Sequence, residues 1–561
     1  MTFLLVHIEL LVKYLLLFSY FYLAGRSFLL MLNKLILKES NLPNRILFTK
    51  SNILFPFMGI AFVGNLLIIS NYFLPLKSNI VYFGLFILFI PGLFQIDSKH
   101  IRKTIINAYN FLKFILIPSI LIMSSYDTSW HVDAGYYHLN HQNWLLESNM
   151  ILGQVNIFWA FGMSSIYEYI SAILWFDRSF ILIHFLTIIF IHTFYMILIE
   201  YLKENKNKEL YFASIFILVF SILDNFGVEG GRNGFIYIQG VTKQDIPVAI
   251  VFLLVTLWCF LIIKYKKSSE FDLMILFLLS FFIVQIKLSS IVIVYPLIIT
   301  LFVLYKSMFK GKLSTFKIFI PTVFFFSFWL LKGYLTTGCL LFPLSSTCIN
   351  NFDWYVANST ESFESVTTTA SYSLIDYLYQ SQSIINWWED FYAKEINRTV
   401  LLNFFSSFIL IYLFKKIFFK SNKMSFLLNF SIFSFIFLNI IYLSLYGPTP
   451  RYAVGTLMLI IGTLGFNVSK IKININQNIF IIIYFVSIFF LVRASSYQSF
   501  LNNPETVLFD PVELAKYEPS IGNWVKPDIG DACWINLKCT MENENIHIDE
   551  GTFFKTAFKD L

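Results

Sequence analysis

The stretch Asp127-Thr-Ser-Trp-His-Val-Asp-Ala-Gly-Tyr-Tyr-His138 gathers two carboxylates and two imidazoles in a chain where charge is scarce, and His141 follows shortly after. Three kinds of chemistry suit it. Asp133 can serve as a general base toward an acceptor hydroxyl, with His138 and Asp127 orienting it, since a base of this kind needs only reach and a matched pKa. His131, Asp133 and His138 are also ligand types that suit a divalent metal. The third reading is a loop whose polar groups simply face water. If the stretch is helical, His138 and His141 fall at i and i+3 and share a face.

Cations stand out in the same way. Arg451 follows Gly447-Pro-Thr-Pro450, Lys287 sits in QIKLSS, and Arg232 and Lys243 lie in the glycine-rich GVEGGRNGFIYIQGVTKQDIP. A cation near a bilayer is costly, so each is either snorkelling to the headgroups or working. For Arg451 the planar guanidinium suits bidentate capture of a phosphate. Trp130, Tyr136, Tyr137 and Trp144 offer flat faces for a sugar ring. Asp245-Ile-Pro247 reads as a helix N-cap followed by proline in the first turn.

The elements that must position these residues are apolar. Hydrophobic residues make up 57% of the chain and charged ones 13%, with a mean hydropathy of +0.68, which predicts an all-α integral membrane protein. Runs long enough to span fall near 3–32, 52–74, 79–97, 105–125, 179–202, 209–224, 247–264, 271–286, 289–305, 316–334, 399–415, 424–446, 451–467 and 476–494, about fourteen helices. The first lacks a cleavage site and reads as a retained helix. Lys and Arg cluster in every second loop, which assigns those loops to the cytoplasm. Both termini and the long 126–178, 225–246 and 335–398 loops are then periplasmic. The predicted organisation is a four-helix segment over 1–125, a loop with interfacial helices and the candidate active site over 126–178, a transmembrane core over 179–334, a second loop over 335–398, C-terminal helices over 399–494, and a small periplasmic cap over 495–561.

Four of the five cysteines lie in these outer segments as two close pairs, Cys339 with Cys348 and Cys533 with Cys539, and an oxidising compartment would let both close. The net charge of +7 is carried mainly by the anchor clusters and implies no nucleic-acid partner.

At VDAGYYHL, KLSS, TTGCLLFPLSSTC and GPTPRYAVG the chain resembles a family of bacterial polytopic membrane proteins encoded with surface-polysaccharide genes. Asp133, Gly135, Tyr137 and His138 occupy its D-x-G-x-Y-H-L signature, Lys287, Leu288 and Ser289 its K-L-S, and Pro450, Arg451 and Tyr452 its P-x-P-R-[FY]. That family in turn resembles, at the level of architecture, the GT-C type glycosyltransferases, which use polyprenyl-linked sugars at the outer face. The resemblance implies a transferase of the bacterial inner membrane, and the residue chemistry read beside it makes Asp133, His138 and Asp127 the expected catalytic residues. Arg451, Lys287, Arg232, Lys243, Trp130 and Tyr137 would hold the lipid-linked saccharide, and no cofactor would be required. Four helices precede the acidic loop, where the GT-C plan has one. The alternatives are an O-antigen-type polymerase or ligase joining lipid-linked units, and a transporter for the same lipids.

Overall fold

Long runs of Leu, Ile and Phe leave the helix as the simplest way to satisfy every backbone N–H and C=O away from water, and helices form the body of the fold. The computed structural model describes residues 2–39, 41–93, 108–163, 165–175, 180–204, 207–225, 241–309, 313–349, 351–356, 359–370, 373–471, 478–502, 516–540 and 545–560. The helices that matter below are α1 (Thr2–Leu32), α2 (Ser51–Asn71), α3 (Leu139–Glu147), α4 (Ile166–Ala172), α5 (Ile181–Glu204), α6 (Asp245–Tyr265), α7 (Glu270–Ile286), α8 (Ile320–Thr337), α9 (Phe426–Tyr446) and α10 (Pro450–Thr463).

Among the described residues, eight helices are long and apolar enough to cross a membrane, or nine if the pair Asn478–Leu491 and Ala494–Asn502, bent by 68°, counts as one span. The remaining apolar runs are helical where described but shorter or more polar, as with the 17 residues of α7 and the 14 of α10. Helix α6 is buried along its length, and α5 nearly so. The outer helices instead turn Phe302, Phe426 and Phe433 outward with 79%, 84% and 71% of their surface exposed. Such faces are at home against lipid tails and not against water.

Two features lock the helices together. Gly25 on α1 and Gly59 on α2 sit so close to the opposite backbone that a Cβ on either would collide with a carbonyl oxygen of the partner helix, the small-residue contact of membrane helix pairs. Between α2 and α7, Asn65 and Gln285 exchange amide hydrogen bonds, Asn65 Nδ2 to Gln285 Oε1 at 3.2 Å and Gln285 Nε2 to Asn65 Oδ1 at 2.8 Å.

The 126–178 segment departs from the expected interfacial helices. Its short helices α3 and α4 are packed inside the protein, because their polar groups find partners there. The tail supplies several of these. Strands β2 (Asn545–Glu550) and β3 (Lys555–Asp560) form an antiparallel hairpin, and β3 pairs in parallel with β1 (Ile151–Leu152), in the register Ile151 to Lys555. Trp534 N–H donates to Gly135 O at 2.9 Å, and Asn143 Nδ2 to Ile535 O at 2.7 Å. The C-terminal segment is therefore fastened to the segment that carries the candidate site. Both expected disulfides, Cys339 to Cys348 and Cys533 to Cys539, are formed, and Cys259 is free and buried.

Candidate functional site

Asp133 precedes one turn of π-helix, Ala134–His138, which runs into α3. Such turns recur at functional sites, where the extra residue re-aims side chains. Here Tyr137, His138 and His141 all face one cavity of about 610 Å³. The cavity opens among the C-terminal ends of α7, α8 and α9 and the N-terminal ends of α6 and α10, and its charged groups arrive from six separate stretches of chain, around Asp133, Glu168, Lys243, Lys287, Lys332 and Arg451.

The first group is an ion pair. Val241 N–H donates to Ser129 O at 3.2 Å, tying the segment before α6 beside the loop, and Lys243 Nζ lies 2.5 Å from Asp133 Oδ2. Burial opposes ionisation of Asp133, but His131 and Lys243 outweigh it and hold the carboxyl well below the usual carboxylate range. Lys243 is the closer partner. His131 Nδ1 is 3.5 Å from Asp133 Oδ1 and is already the acceptor for the Asp133 N–H at 3.1 Å. Burial, followed by the Arg451 charge, lowers the Lys243 pKa.

The second group is a buried dyad. Ser165 caps α4, its Oγ accepting from Tyr167 N–H at 2.9 Å, and the first turn presents Glu168 to His138 Nδ1 in a short hydrogen bond. Gln244 Nε2 donates to Glu168 Oε1 at 2.7 Å and Gln142 Nε2 to Oε2 at 2.8 Å, while Trp175 Nε1 fixes the Gln142 amide by donating to its Oε1 at 2.8 Å. Burial opposes ionisation of Glu168, yet His138 and these donors leave its pKa lowered. His141, fully enclosed, is pushed down to about 3 by burial, and its Nε2 has no hydrogen-bond partner among the described residues.

The third group is cationic. Lys287, at the break after α7, forms a short ion pair with Asp245 Oδ1 and sits 3.8 Å above the Tyr452 ring, a cation–π contact. Asp245 opens α6 as its first residue, with Gln244 at the N-cap, so the carboxylate serves Lys287 and not the helix end expected from sequence. Arg451, one residue into α10, reaches the cavity and donates to Tyr452 Oη at 3.3 Å, and no carboxylate among the described residues forms an ion pair with it. Lys332 of α8 lies in the wall, 5.5 Å from the Tyr169 ring. Asp133 is thus matched by Lys243 and Asp245 by Lys287, while Arg451 faces the cavity with no carboxylate in an ion pair with it among the described residues.

Of the residues singled out from sequence, Asp133, Tyr137, His138, Lys243, Lys287 and Arg451 meet at this cavity. Asp127 does not; it accepts from Ser495 Oγ, because the turn after it carries the two aspartates to different neighbours. Trp130 packs edge-on against Phe180 and Trp534 at 5.3 and 6.1 Å, and Trp144 is buried in an aromatic cluster with Phe158 and Phe161, so neither presents a face to the cavity. Arg232 lies outside the described residues. The metal alternative fails on geometry: among the described residues no three His, Cys, Asp or Glu side chains gather as a ligand set, since His131 turns to Asp133 and His138 to Glu168. Glu168, Gln142, Gln244 and Lys332 were not anticipated as site residues. The available signal was a lone carboxylate in SSIYEYIS and a lone ammonium in WLLKGYL, each inside an apolar run.

A family model described as a domain of unknown function (DUF8201) matches residues 8–458. The chain belongs to that family. The match includes every charged residue of the cavity wall and ends before the C-terminal tail. No curated protein and no solved structure matches the chain.

Proposed function

We propose that this DUF8201 protein is a membrane glycosyltransferase that moves sugar from a polyprenyl-phosphate-linked donor to a saccharide acceptor during surface-polysaccharide synthesis, at the periplasmic face of a bacterial inner membrane. One observation carries the reading: His138, Asp133, Lys243, Lys287 and Arg451 converge on one cavity in which the Arg451 guanidinium has no carboxylate ion pair among the described residues. A departing polyprenyl phosphate develops negative charge, and preorganised cations in a water-poor site stabilise that charge far more than bulk water does. Arg451 supplies a planar fork free of any protein carboxylate partner among the described residues, Lys287 flanks it, and Tyr136, Tyr137, Trp159 and Trp329 line the same space as surfaces for sugar. Leu340, Leu341 and Phe342 add an apolar edge suited to a lipid tail.

The resemblance at VDAGYYHL and GPTPRYAVG supports the same pathway, and basic clusters in alternate loops support fourteen spans with both termini periplasmic. A polymerase or ligase would use the same donor chemistry on larger units. A transporter would be expected to hold its charges at mid-membrane on paired broken helices, whereas these charges gather where helices end.

The test is binding of polyprenyl phosphate to full-length protein in lipid nanodiscs. Arg451→Lys keeps the charge and loses the fork, and Arg451→Gln loses both. Affinity should fall for both, roughly tenfold or more for Arg451→Gln, the worth of a charge-assisted hydrogen bond. Wild-type affinity in Arg451→Gln refutes the phosphate clamp.

A further inference from the structure

Resting on the transferase reading, we infer that His138 is the proton acceptor of the reaction and that Glu168 is its positioning residue, with Asp133 acting as the counter-ion of Lys243. The tautomer follows from donor and acceptor counting. Glu168 takes hydrogen bonds on both oxygens from Gln244 and Gln142, and an ionised carboxylate can only accept. His138 Nδ1 must therefore carry the hydrogen it shares with Glu168. In the neutral ring the free lone pair is then on Nε2, for which no hydrogen bond is found among the described residues, and the residue faces the cavity. This is the arrangement in which a carboxylate orients an imidazole and stabilises the imidazolium that forms.

Asp133 is the weaker candidate on geometry. Lys243 Nζ occupies one of its oxygens at 2.5 Å, and taking up a proton would leave a buried ammonium without its partner. The other charged groups on the cavity side of His138 are Lys332 from α8 and the Asp133–Lys243 pair, with His141 one turn along.

The step balances. The acceptor hydroxyl gives its proton to His138 Nε2 as its oxygen bonds to the anomeric carbon of the donor sugar. The bond from that carbon to the phosphate oxygen breaks, and its electron pair leaves on the polyprenyl phosphate, held by Arg451 and Lys287. The proton on His138 then passes to solvent.

The experiment measures transfer from a polyprenyl-phosphate-linked saccharide by full-length protein in nanodiscs across pH, with polyprenyl phosphate binding as a parallel readout. His138→Gln should bind lipid phosphate normally and lose at least about 100-fold in turnover, the usual worth of a general base. In Glu168→Gln the loss of the carboxylate destabilises the imidazolium, so the acid limb of kcat/KM should move to lower pH while the plateau falls; a merely structural role would lower the plateau without moving the limb. Wild-type turnover in His138→Gln, or loss of the limb in Asp133→Asn but not in His138→Gln, overturns the assignment and leaves the transferase reading standing. Wild-type protein that binds donor and transfers nothing overturns both.

Discussion

Gly135 is the point where the site and the tail touch, and replacing it tests whether the tail holds the π-turn. A Cβ added there would lie 2.8 Å from the ring of Trp534 and 2.9 Å from Ala532 Cβ, closer than side chains normally approach. Neither neighbour can swing away cheaply. The Trp534 N–H is hydrogen-bonded to Gly135 O, and the Cys533–Cys539 disulfide closes the loop that carries it. Overpacking of this kind costs about 1–3 kcal/mol, which shifts the ratio of docked to undocked tail by roughly 5- to 150-fold. Alanine also gains up to about 1 kcal/mol of backbone entropy over glycine, but that gain acts on the π-turn and leaves the docking contact unrelieved. Hydrogen exchange of full-length Gly135→Ala should therefore show faster exchange in peptides covering 530–540 and 545–560. Gly84→Ala is the control, since nothing lies within 4 Å of its added Cβ. Wild-type protection of the tail in Gly135→Ala would refute the packing argument.

Acid should destabilise the protein through His141. Its folded pKa is pushed down to about 3 against an unfolded value of about 6.5, so its contribution is complete above about 6.5 and is lost as pH falls toward 3. The slope approaches about 1.4 kcal/mol per pH unit, and Tm measured from pH 7 to 4 should decline less steeply in His141→Gln. Gln285→Leu strands the buried Asn65 Oδ1, while Asn65 Nδ2 keeps its bond to Ala61 O at 2.8 Å, and should cost about 1–2 kcal/mol, whereas Asn65→Leu combined with Gln285→Leu should recover part of it in a double-mutant cycle of thermal stability. Thiol labelling of unreduced, denatured protein should modify Cys259 alone, and labelling of all five cysteines would contradict both disulfides.

Hydropathy by itself determined the all-α, membrane-spanning class, though not the number of spans, for which eight or nine helices qualify among the described residues against the fourteen runs expected. Runs of 17 or more apolar residues have few ways to satisfy their backbone in lipid, so helix follows from composition with little reference to tertiary context. The two short-range cysteine pairs, and the shared face of His138 and His141, were legible for a similar reason, because both rest on local spacing. Arg451 and Lys287 were legible as candidates because an ion in an apolar run calls for an explanation.

What only the tertiary structure decided is which partner each charge meets. Asp127 and Asp133 look equivalent in the sequence, six positions apart on one segment, yet one faces Ser495 and the other Lys243, 368 and 110 residues away. Glu168 resembled an incidental carboxylate in a short helix until His138 and Gln244 arrived from 30 and 76 residues off. The protonation behaviour of an ionisable group is set by desolvation and by charges within a few ångströms. Those neighbours are assembled by helix packing across long stretches of chain, and no local pattern encodes them.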